Sequence, residues 1–387
     1  MKKKVLQISK YYFPFIGGTE QVARDIANAL KPCDDIEQKI FCFNEDASVG
    51  GITTKKNETV LDTVDGVEVI RCGYTVKVSS QSISTTVPTQ LKKVMDEFQP
   101  DIIILHYPNP YVTHYLLKYK ERNFKLVIYW HLDITKQKVL KHLFHHQNLE
   151  LIKRADRILG ATPKHIDESF YTPQFGTKRE ILPYAIDEER LKISEEEKAQ
   201  ATRIRKKYDG KVLGFFIGRH VPYKGLAYLV EASKYVPNDF HFIIAGNGGL
   251  TDRLKVKAAG DNKVEFVGRI SDSEWRSYLW ACDIFCFPSI TRNEGFGLAL
   301  AEGMYYGKPA VTFTIPGSGV NYVNLDGVTG IECPNCDSRA YADALVKLGK
   351  DKVLREKYGK QARQRVLDNF TFESFQNNVV KLLESFK

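Results

Sequence analysis

Residues 283–302 read DIFCFPSITRNEGFGLALAE, a strand-like run that is followed by a short loop and a helix-like run. The run DIFCF has the apolar character of a strand buried in a parallel sheet, and the segment from Leu298 onward has the apolar spacing of a helix. A short loop that contains Gly295 and Gly297 joins them. A strand that passes through such a loop into a helix is the unit of α/β architecture, so the sequence predicts an α/β fold with parallel sheets.

The same alternation continues on both sides of this stretch. In the second half of the chain, strand-like apolar runs occur at 212–217, 240–245, 263–267 and 309–313. In the first half, they occur at 5–9, 39–43, 67–72, 101–106, 126–130 and 157–161. Segments with helical spacing separate most of these runs, and a capping box of Ser271 and Glu274 predicts a helix over residues 272–281.

A polar, charge-rich stretch at about 186–210 separates the two strand–helix series. A chain of 387 residues also exceeds the size of one ordinary hydrophobic core. We therefore expect an N-terminal domain over 1–190 and a C-terminal domain over 191–365. A terminal helix over 366–387 is expected to cross back to the first domain.

The composition is that of a folded protein, with 43% hydrophobic and 27% charged residues. The start Met1-Lys2-Lys3-Lys4 is followed by an apolar run too short for a signal peptide, and no apolar stretch approaches the roughly 18 residues of a membrane span. The seven cysteines lie mostly in strand-like runs, which favours buried reduced thiols over disulfides. These features predict a cytoplasmic location.

The net charge of +9 is concentrated in one region. Residues 113–165 contain eleven Lys or Arg and four Asp or Glu, and seven of the nine histidines lie between His106 and His165. Such a region attracts anionic surfaces, and an acidic bilayer or a pyrophosphate-bearing acceptor fits as well as nucleic acid. A solvated helix face is the alternative interpretation.

Ligands of parallel α/β sheets bind at the carboxyl ends of the strands, where helix N-termini present free amides to anions. The pair Gly17-Gly18 lies between a strand and a helix, where the backbone can approach a phosphate, although paired glycines also make ordinary turns. The segment 218–225 places Arg219 and Lys224 directly after a strand. Both cations can bind a diphosphate: the guanidinium of Arg219 can donate two parallel hydrogen bonds, and the ammonium of Lys224 provides a point charge.

Two glutamates eight positions apart, Glu294 and Glu302, belong to the loop and helix of residues 288–302. One carboxylate can meet the hydroxyls of a sugar while the other accepts those of a ribose, and the amides near Gly297 and Leu298 point at a phosphate. A carboxylate beside a diphosphate is otherwise unfavourable. A purely structural Glu294 is therefore the weaker interpretation.

Two histidines end strands in the first half of the chain. His131 follows the run 126–130, while His106 closes the run 101–106 and could face the same cleft. His142, His145 and His146 lie at helical spacing among lysines, which indicates surface groups.

The run from Glu294 to Glu302 resembles the Glu-x7-Glu element of retaining GT-B glycosyltransferases of family 4. Gly17-Gly18, His131, the Gly-Arg and Lys-Gly pairs of 218–225 and the Gly-Lys-Pro at 307–309 follow in the order typical of that family. The resemblance spans nearly the whole chain, although it is loose from 30 to 125. It implies two Rossmann-like domains that face a central cleft, the first for the acceptor and the second for a nucleotide sugar.

The resemblance also implies roles for individual residues. Arg219 and Lys224 would hold the donor diphosphate, Glu294 the hydroxyls of the transferred sugar and Glu302 the ribose. His131 would reach the sugar from the N-terminal domain and complete a catalytic set with Arg219, Lys224 and Glu294. The other donor-binding positions would line the cleft floor, lie near the base or offer amides to the phosphates: Gly17, Gly18, Gly268, Ile270, Phe296, Gly297 and Leu298.

The implied reaction is transfer with retention, without an enzymic nucleophile and without a cofactor. Metal independence is expected as well, since the chain contains no Asp-x-Asp for a metal-clamped diphosphate. The expected acceptor is a glycan or an undecaprenyl-diphosphate-linked glycan of cell-surface polysaccharide, reached by peripheral contact with the anionic inner face of the membrane. GDP-mannose is the first expectation for the donor and a UDP-hexose the second, with no nucleic-acid partner.

Two other enzyme classes stay open. A sugar-nucleotide epimerase of the same fold would share the nucleotide site, although Glu294 in its Glu-Gly-Phe-Gly setting favours transfer. An NAD(P)-dependent oxidoreductase would need a complete glycine fingerprint after the first strand, which Gly17-Gly18 does not supply.

Overall fold

The computed structural model describes residues 2–15, 17–44, 57–78, 81–133 and 138–386. The chain divides into two compact units, the first made of Met1–Ala185 and Phe372–Lys387 and the second of Ile186–Thr371. The expected boundaries at residues 190 and 365 differ from these by a few residues.

The first unit is an α/β unit built on a large sheet. The strands of the unit are β1 (Lys3–Ile8), β2 (Ile36–Asn44), β3 (Val60–Val64), β4 (Val67–Gly73), β5 (Val76–Val78), β6 (Gln81–Ile83), β7 (Ile102–Tyr107), β8 (Lys125–Trp130), β9 (Arg157–Gly160) and β10 (Arg179–Ile181). Strands β5 and β6 pair with each other in a separate small sheet. The first helices of the unit are α1 (Gly18–Leu30), α2 (Val87–Lys93), α3 (Pro110–Leu116), α4 (Lys138–Arg154), α5 (Pro163–Asp167) and α6 (Thr172–Phe175). Eight strands pair in the order β10-β9-β8-β7-β1-β2-β4-β3, with β3 antiparallel to β4 and the other pairs parallel.

The central strands of this sheet are covered on both faces, which explains their nearly continuous apolar sequences. All six residues of β7 are buried. Because side chains alternate along a strand, Tyr107 and Trp130 share one face, where their rings stack with centroids 3.7 Å apart inside the main apolar cluster. Gln7 and His106 lie on the opposite face of the sheet.

The second unit is a six-stranded parallel sheet with helices between the strands. Its strands are β11 (Val212–Ile217), β12 (Phe240–Ala245), β13 (Val264–Gly268), β14 (Ile284–Phe287), β15 (Ala310–Phe313) and β16 (Gly330–Cys333), in the order β13-β12-β11-β14-β15-β16. Its helices are α7 (Glu195–Lys207), α8 (Leu226–Ala232), α9 (Thr251–Lys257), α10 (Asp272–Ala281), α11 (Leu298–Tyr305), α12 (Val320–Val323), α13 (Ser338–Lys350) and α14 (Lys352–Asn369). The expected fold class, two Rossmann-like α/β domains, is confirmed.

Helix capping follows the sequence closely in this unit. The predicted capping box of Ser271 and Glu274 is present, and α10 has the predicted bounds. The polar stretch at 186–210 contains α7, which begins with a second capping box formed by Ser194 and Glu197. This helix was not predicted, because its sequence has little apolar periodicity.

The last helix, α15 (Phe372–Glu384), returns to the first unit. Gln376 Nε2 donates to the backbone oxygen of Ala29, the penultimate residue of α1, at 3.0 Å. Lys3 Nζ donates to the backbone oxygen of Leu383 at 3.0 Å. The first unit is therefore discontinuous in the sequence.

Candidate active site

The topology of the second sheet creates a crevice between β11 and β14. From β11 the chain proceeds through β12 to β13 on one side, and from β14 through β15 to β16 on the other. The loops that follow β11 and β14 therefore leave their neighbouring strands in opposite directions. Parallel sheets bind ligands at such a switch point.

The two loops contact each other through their backbones. Ile290 N donates to Tyr223 O at 2.9 Å. Gly225 has a φ of +63°, and a Cβ placed on it would lie 2.0 Å from the backbone oxygen of Pro288. A side chain at position 225 would therefore separate the loops, which explains the Lys-Gly pair.

This contact brings Lys224 and Glu294 together. Lys224 Nζ lies 2.5 Å from Glu294 Oε2, and the two side chains are only 11% and 13% exposed. Ser289 Oγ donates to the same carboxylate oxygen at 3.1 Å, and Ser318 Oγ donates to the Glu294 backbone oxygen at 2.5 Å. Among the described residues, both of these side-chain contacts are made with Oε2 and not with Oε1.

Arg219 lies on the same loop as Lys224 but is exposed. Its Nη2 lies 3.4 Å from the Tyr223 hydroxyl, a long contact that restrains the guanidinium weakly. The site therefore has one fixed cation, Lys224, and one that can adjust to a ligand.

The helix α11 begins directly after the Glu294 loop. Its N-cap, Gly297, has a φ of +93° and no side chain caps the helix, so the first amides, beginning with Leu298, remain for an anion. Phe296 is buried, and its ring meets that of Phe370 edge to face with centroids 5.2 Å apart. The Phe296 side chain thus anchors the loop, and only its backbone could serve the donor.

Glu302 lies one turn further along α11 and has an unusual environment. Its side chain is 18% exposed, and the nearest cation, Arg190 Nη1, is 3.9 Å from Oε1. Arg190 is committed to Asp272 through two hydrogen bonds of 3.1 Å. Burial raises the pKa of Glu302 to about 7, against the weaker opposing effect of Arg190.

Gly268 is the last residue of β13 and Ile270 follows it, and backbone contacts join this segment to the neighbouring loops. Gly246 N donates to Gly268 O at 2.7 Å, and a Cβ on Gly246 would lie 1.9 Å from Gly218 O. The three loops after β11, β12 and β13 are thus packed backbone against backbone. Glycine in the turn at 246–249 therefore allows the backbones of neighbouring loops to pack closely.

In the first unit, His131 follows β8 and is nearly inaccessible, at 3% exposure. Its Nε2 lies 2.9 Å from Nδ1 of His106, and its Nδ1 lies 2.5 Å from the Tyr184 hydroxyl. Burial holds the pKa of His131 well below its usual range, with smaller contributions from His106 and His165. Burial therefore favours the neutral form of this imidazole, and both of its nitrogens are within hydrogen-bond distance of a partner.

The glycine pair adopts the expected position at a helix start. Gly17 is the N-cap of α1 in extended conformation, and α1 begins at Gly18. A Cβ on Gly17 would lie 2.3 Å from Glu20 Oε2, so the carboxylate of Glu20 folds over this position. The helix end thus has an acidic side chain beside it. Donor binding at Gly17 and Gly18 stays a prediction.

Two family models match the chain in succession. Residues 16–190 match the model described as Glycosyltransferase Family 4, and residues 197–365 match Glycosyl transferases group 1. The chain belongs to glycosyltransferase family 4.

This family 4 glycosyltransferase has curated relatives along its whole length. It is 25% identical over 389 residues to the O-antigen chain mannosyltransferase C of Escherichia coli, covering 99% of each chain. It is 28% identical over 346 residues to the D-rhamnosyltransferase WbpZ of Pseudomonas aeruginosa, covering 87% of this chain and 88% of the relative.

Solved structures show the GT-B fold of the glycosyltransferase. A sucrose-phosphate synthase from Thermosynechococcus elongatus has a TM-score of 0.79 at 17% identity, covering 99% of both chains. HepE from Anabaena, in complex with UDP and glucose, has a TM-score of 0.76 at 18% identity, covering 99% of this chain and 100% of the other.

The basic region of this glycosyltransferase is partly neutralised by its own surroundings. Arg122 pairs with Asp96 at 2.6 Å, and Lys120 pairs with Glu150 at 3.6 Å. Arg154 donates to three backbone oxygens, including that of Phe124 at 2.7 Å. Within the described parts of the chain, no helix has both the length and the apolar character needed to cross a membrane.

Several contacts at the site escaped the sequence analysis. Ser289 and Ser318 fix Glu294, while Gln7 and Tyr184 extend the contacts of the two histidines. Ser289 is only five residues from Glu294 in the same loop, so its contact with that carboxylate was within reach of a sequence argument. Ser318 and Tyr184 are 24 and 53 residues from their partners, and no spacing pattern marks them.

Proposed function

We propose that this glycosyltransferase is a retaining hexosyltransferase of cell-surface polysaccharide synthesis, with GDP-mannose as the first candidate donor and a glycan or lipid-linked glycan as acceptor. The observation that carries the proposal is the meeting of Lys224, Glu294 and the N-terminus of α11 at the switch point of the second sheet. The mannosyltransferase and D-rhamnosyltransferase among the relatives support the sugar and the O-antigen context. A UDP-hexose donor is the second candidate.

The proposed donor complex satisfies the charges of the site. The diphosphate would meet Lys224, Arg219 and the first amides of α11, three positive partners of different kinds. Glu294 is already paired with Lys224, so its negative charge is largely offset beside the diphosphate. Its Oε1 would accept a hydrogen bond from a hydroxyl of the transferred sugar.

The ribose of the donor is proposed to bind Glu302. A carboxylate can accept hydrogen bonds from two neighbouring hydroxyls at once, and these bonds favour its ionised form. Gly268 and Ile270 are proposed to lie near the base, and His131 is proposed to act on the transferred sugar.

The chemistry proposed for the site is electrostatic. Lys224 and Arg219 would stabilise the charge that develops on the departing diphosphate, in place of a metal ion. Activity should therefore persist in excess EDTA, and a strict requirement for added Mg²⁺ or Mn²⁺ would contradict metal independence.

The function is tested by offering the purified protein a panel of nucleotide sugars and measuring release of nucleoside diphosphate. We expect turnover of at least one donor, with GDP-mannose first, and a loss of about 100- to 1,000-fold in Glu294→Ala. The matched control is Glu231→Gln, because Glu231 pairs with Lys257 at 2.6 Å on the surface of the same unit and should not affect turnover.

The same assay separates the alternatives. Failure to release diphosphate from any donor, together with no thermal shift on adding GDP or UDP, would contradict the proposed function. Conversion of the nucleotide sugar into its epimer, detected by chromatography, would indicate the epimerase instead.

Peripheral contact with an anionic membrane is a further part of the proposal, supported by the basic region 113–165. Lys118 provides a test, since it contacts the ring of Tyr115 and is free of the ion pairs that involve Lys120 and Arg122. Reversal of Lys118, Lys138 and Lys141 to Glu should weaken sedimentation with phosphatidylglycerol vesicles. Unchanged sedimentation would contradict membrane contact through this region.

A further inference from the structure

Four buried polar side chains of the first unit form one continuous chain of hydrogen bonds. His131 contacts His106 on one side and Tyr184 on the other, as described above. His106 in turn contacts Gln7, with His106 Nε2 3.0 Å from Gln7 Oε1. Gln7, His106, His131 and Tyr184 are 0%, 1%, 3% and 7% exposed. Gln7 lies in β1 and His106 in its neighbour β7, and His131 directly follows β8, the next strand, so the sheet sets their spacing.

The position of this chain within the sheet is chemically unusual. The opposite face of the same strands has Leu6, Leu105 and Ile128 in the main apolar cluster. Burying polar groups costs free energy unless each is hydrogen-bonded, so an apolar face would stabilise the fold more simply. The two imidazole rings are parallel within 4°, with centroids 5.2 Å apart.

With Gln7 Oε1 facing His106, as in the structure, the chain of hydrogen bonds has one consistent arrangement of protons. Gln7 Oε1 can only accept, so His106 donates from Nε2 and its Nδ1 must accept. His131 therefore donates from Nε2 to His106, which leaves its own Nδ1 to accept from the Tyr184 hydroxyl. Both rings carry one proton each, which agrees with burial lowering the pKa of His106 to about 3.

We propose that His106 and Gln7 are positioning residues for His131: they hold its ring and keep its proton on Nε2, so that His131 meets the transferred sugar as a hydrogen-bond acceptor at Nδ1. A sugar hydroxyl would take the place that the Tyr184 hydroxyl has here. The inference rests on the proposed role of His131 in the transfer reaction. The orientation of a histidine by a neighbouring group is a common way to fix which nitrogen reacts.

Nitrogen NMR of the intact protein tests the proton arrangement independently of activity. Labelled His106 and His131 should both show a neutral ring with the proton on Nε2 at pH 7. A proton on Nδ1 of either ring, or a doubly protonated ring, would overturn the proposal.

Kinetics test the positioning role. Gln7→Leu removes the acceptor while keeping the side-chain size, and we expect kcat to fall about 10- to 100-fold with donor KM changed by less than about twofold. Gln7→Glu keeps an acceptor at the same place and should recover most of this loss. A matched control is Asn148→Leu, because Asn148 is also buried and donates to the Tyr171 hydroxyl at 3.1 Å outside this chain.

The control should lose stability without losing kcat. If Asn148→Leu lowers kcat as much as Gln7→Leu does, the effect is general destabilisation and the proposal fails.

A double variant shows whether Gln7 acts through His131. In a His131→Ala background, Gln7→Leu should cause no further loss of kcat. An equal loss in both backgrounds would overturn the inference. If His131→Ala turns over donor at the wild-type rate while Glu294→Ala does not, the inference fails and the glycosyltransferase assignment of the second unit stands.

Discussion

Glu302 shows how the fold can set the protonation of a single proposed ligand. Burial raises the pKa of the Glu302 carboxyl from 4.5 to about 7, against the weaker opposing effect of Arg190. A carboxyl group with a raised pKa stabilises the folded state while it is protonated. That contribution is present below pH 4.5 and is lost as the pH rises toward 7.

This shift predicts pH-dependent donor binding. Ribose hydroxyls bind the ionised carboxylate better, so the affinity for a nucleoside diphosphate should rise about tenfold between pH 6 and 8. Calorimetric titration at several pH values measures this rise. The control is Glu302→Gln, which has no carboxylate to ionise, so its affinity should not rise between pH 6 and 8. If the affinity of this variant shows the same pH dependence as that of the wild type, the prediction is contradicted.

The limits of sequence interpretation are also visible at the residue scale. Glu294, Lys224 and Arg219 could be placed at one strand edge, because each follows a strand of the same parallel sheet. Of the partners of His131, His106 could be expected to face the same cleft, whereas Gln7 and Tyr184 could not be placed, since the sequence does not show that β1, β7 and β8 are neighbours.

At the scale of elements, the loops after β11 and β14 depend on one small residue. Gly225→Ala places a methyl group 2.0 Å from the position of Pro288 O, at a φ of +63°. The control is Gly210→Ala, at a φ of +70° with no atom within 4 Å of its Cβ. The control should cost about 1–2 kcal/mol from backbone strain alone, and Gly225→Ala should cost roughly 2 kcal/mol more.

Chemical denaturation measures both free energies of unfolding. Because the clash separates Lys224 from Glu294, Gly225→Ala should also lose turnover, while Gly210→Ala should keep it. Equal free energies of unfolding for the two variants would show that the loops are not packed against each other as described.

The elements themselves were predicted unevenly. Strands such as β7 and β11 were predicted correctly because most of their residues are buried and their sequences are largely apolar, with His106 as the polar exception in β7. The short strands β3, β5, β6, β10 and β16 were missed, since polar, charged or glycine residues interrupt their sequences, whereas the equally short β14 is apolar throughout and was predicted. The helix α7 was missed because polar residues dominate it, although its Ser194-x-x-Glu197 signal was present.

At the scale of the whole molecule, α15 completes the first unit from the far end of the chain. Leu383 is 1% exposed on this helix, whereas Leu367 on α14 is 37% exposed. Leu383→Ala should therefore destabilise the protein by about 2–5 kcal/mol, and Leu367→Ala by much less. Hydrogen exchange should show the loss of protection in α1 and α15; protection lost mainly in the second unit would contradict the assignment of α15.

The discontinuous first unit also has a consequence for biosynthesis. A ribosome finishes the second unit before it makes α15, so β1 to β10 must wait, with the α1 surface uncovered, while nearly two hundred further residues are translated. The unit that starts first is thus the one whose native surface is completed last. Ribosome-bound intermediates stalled before residue 372 should accordingly be the species that chaperones recognise.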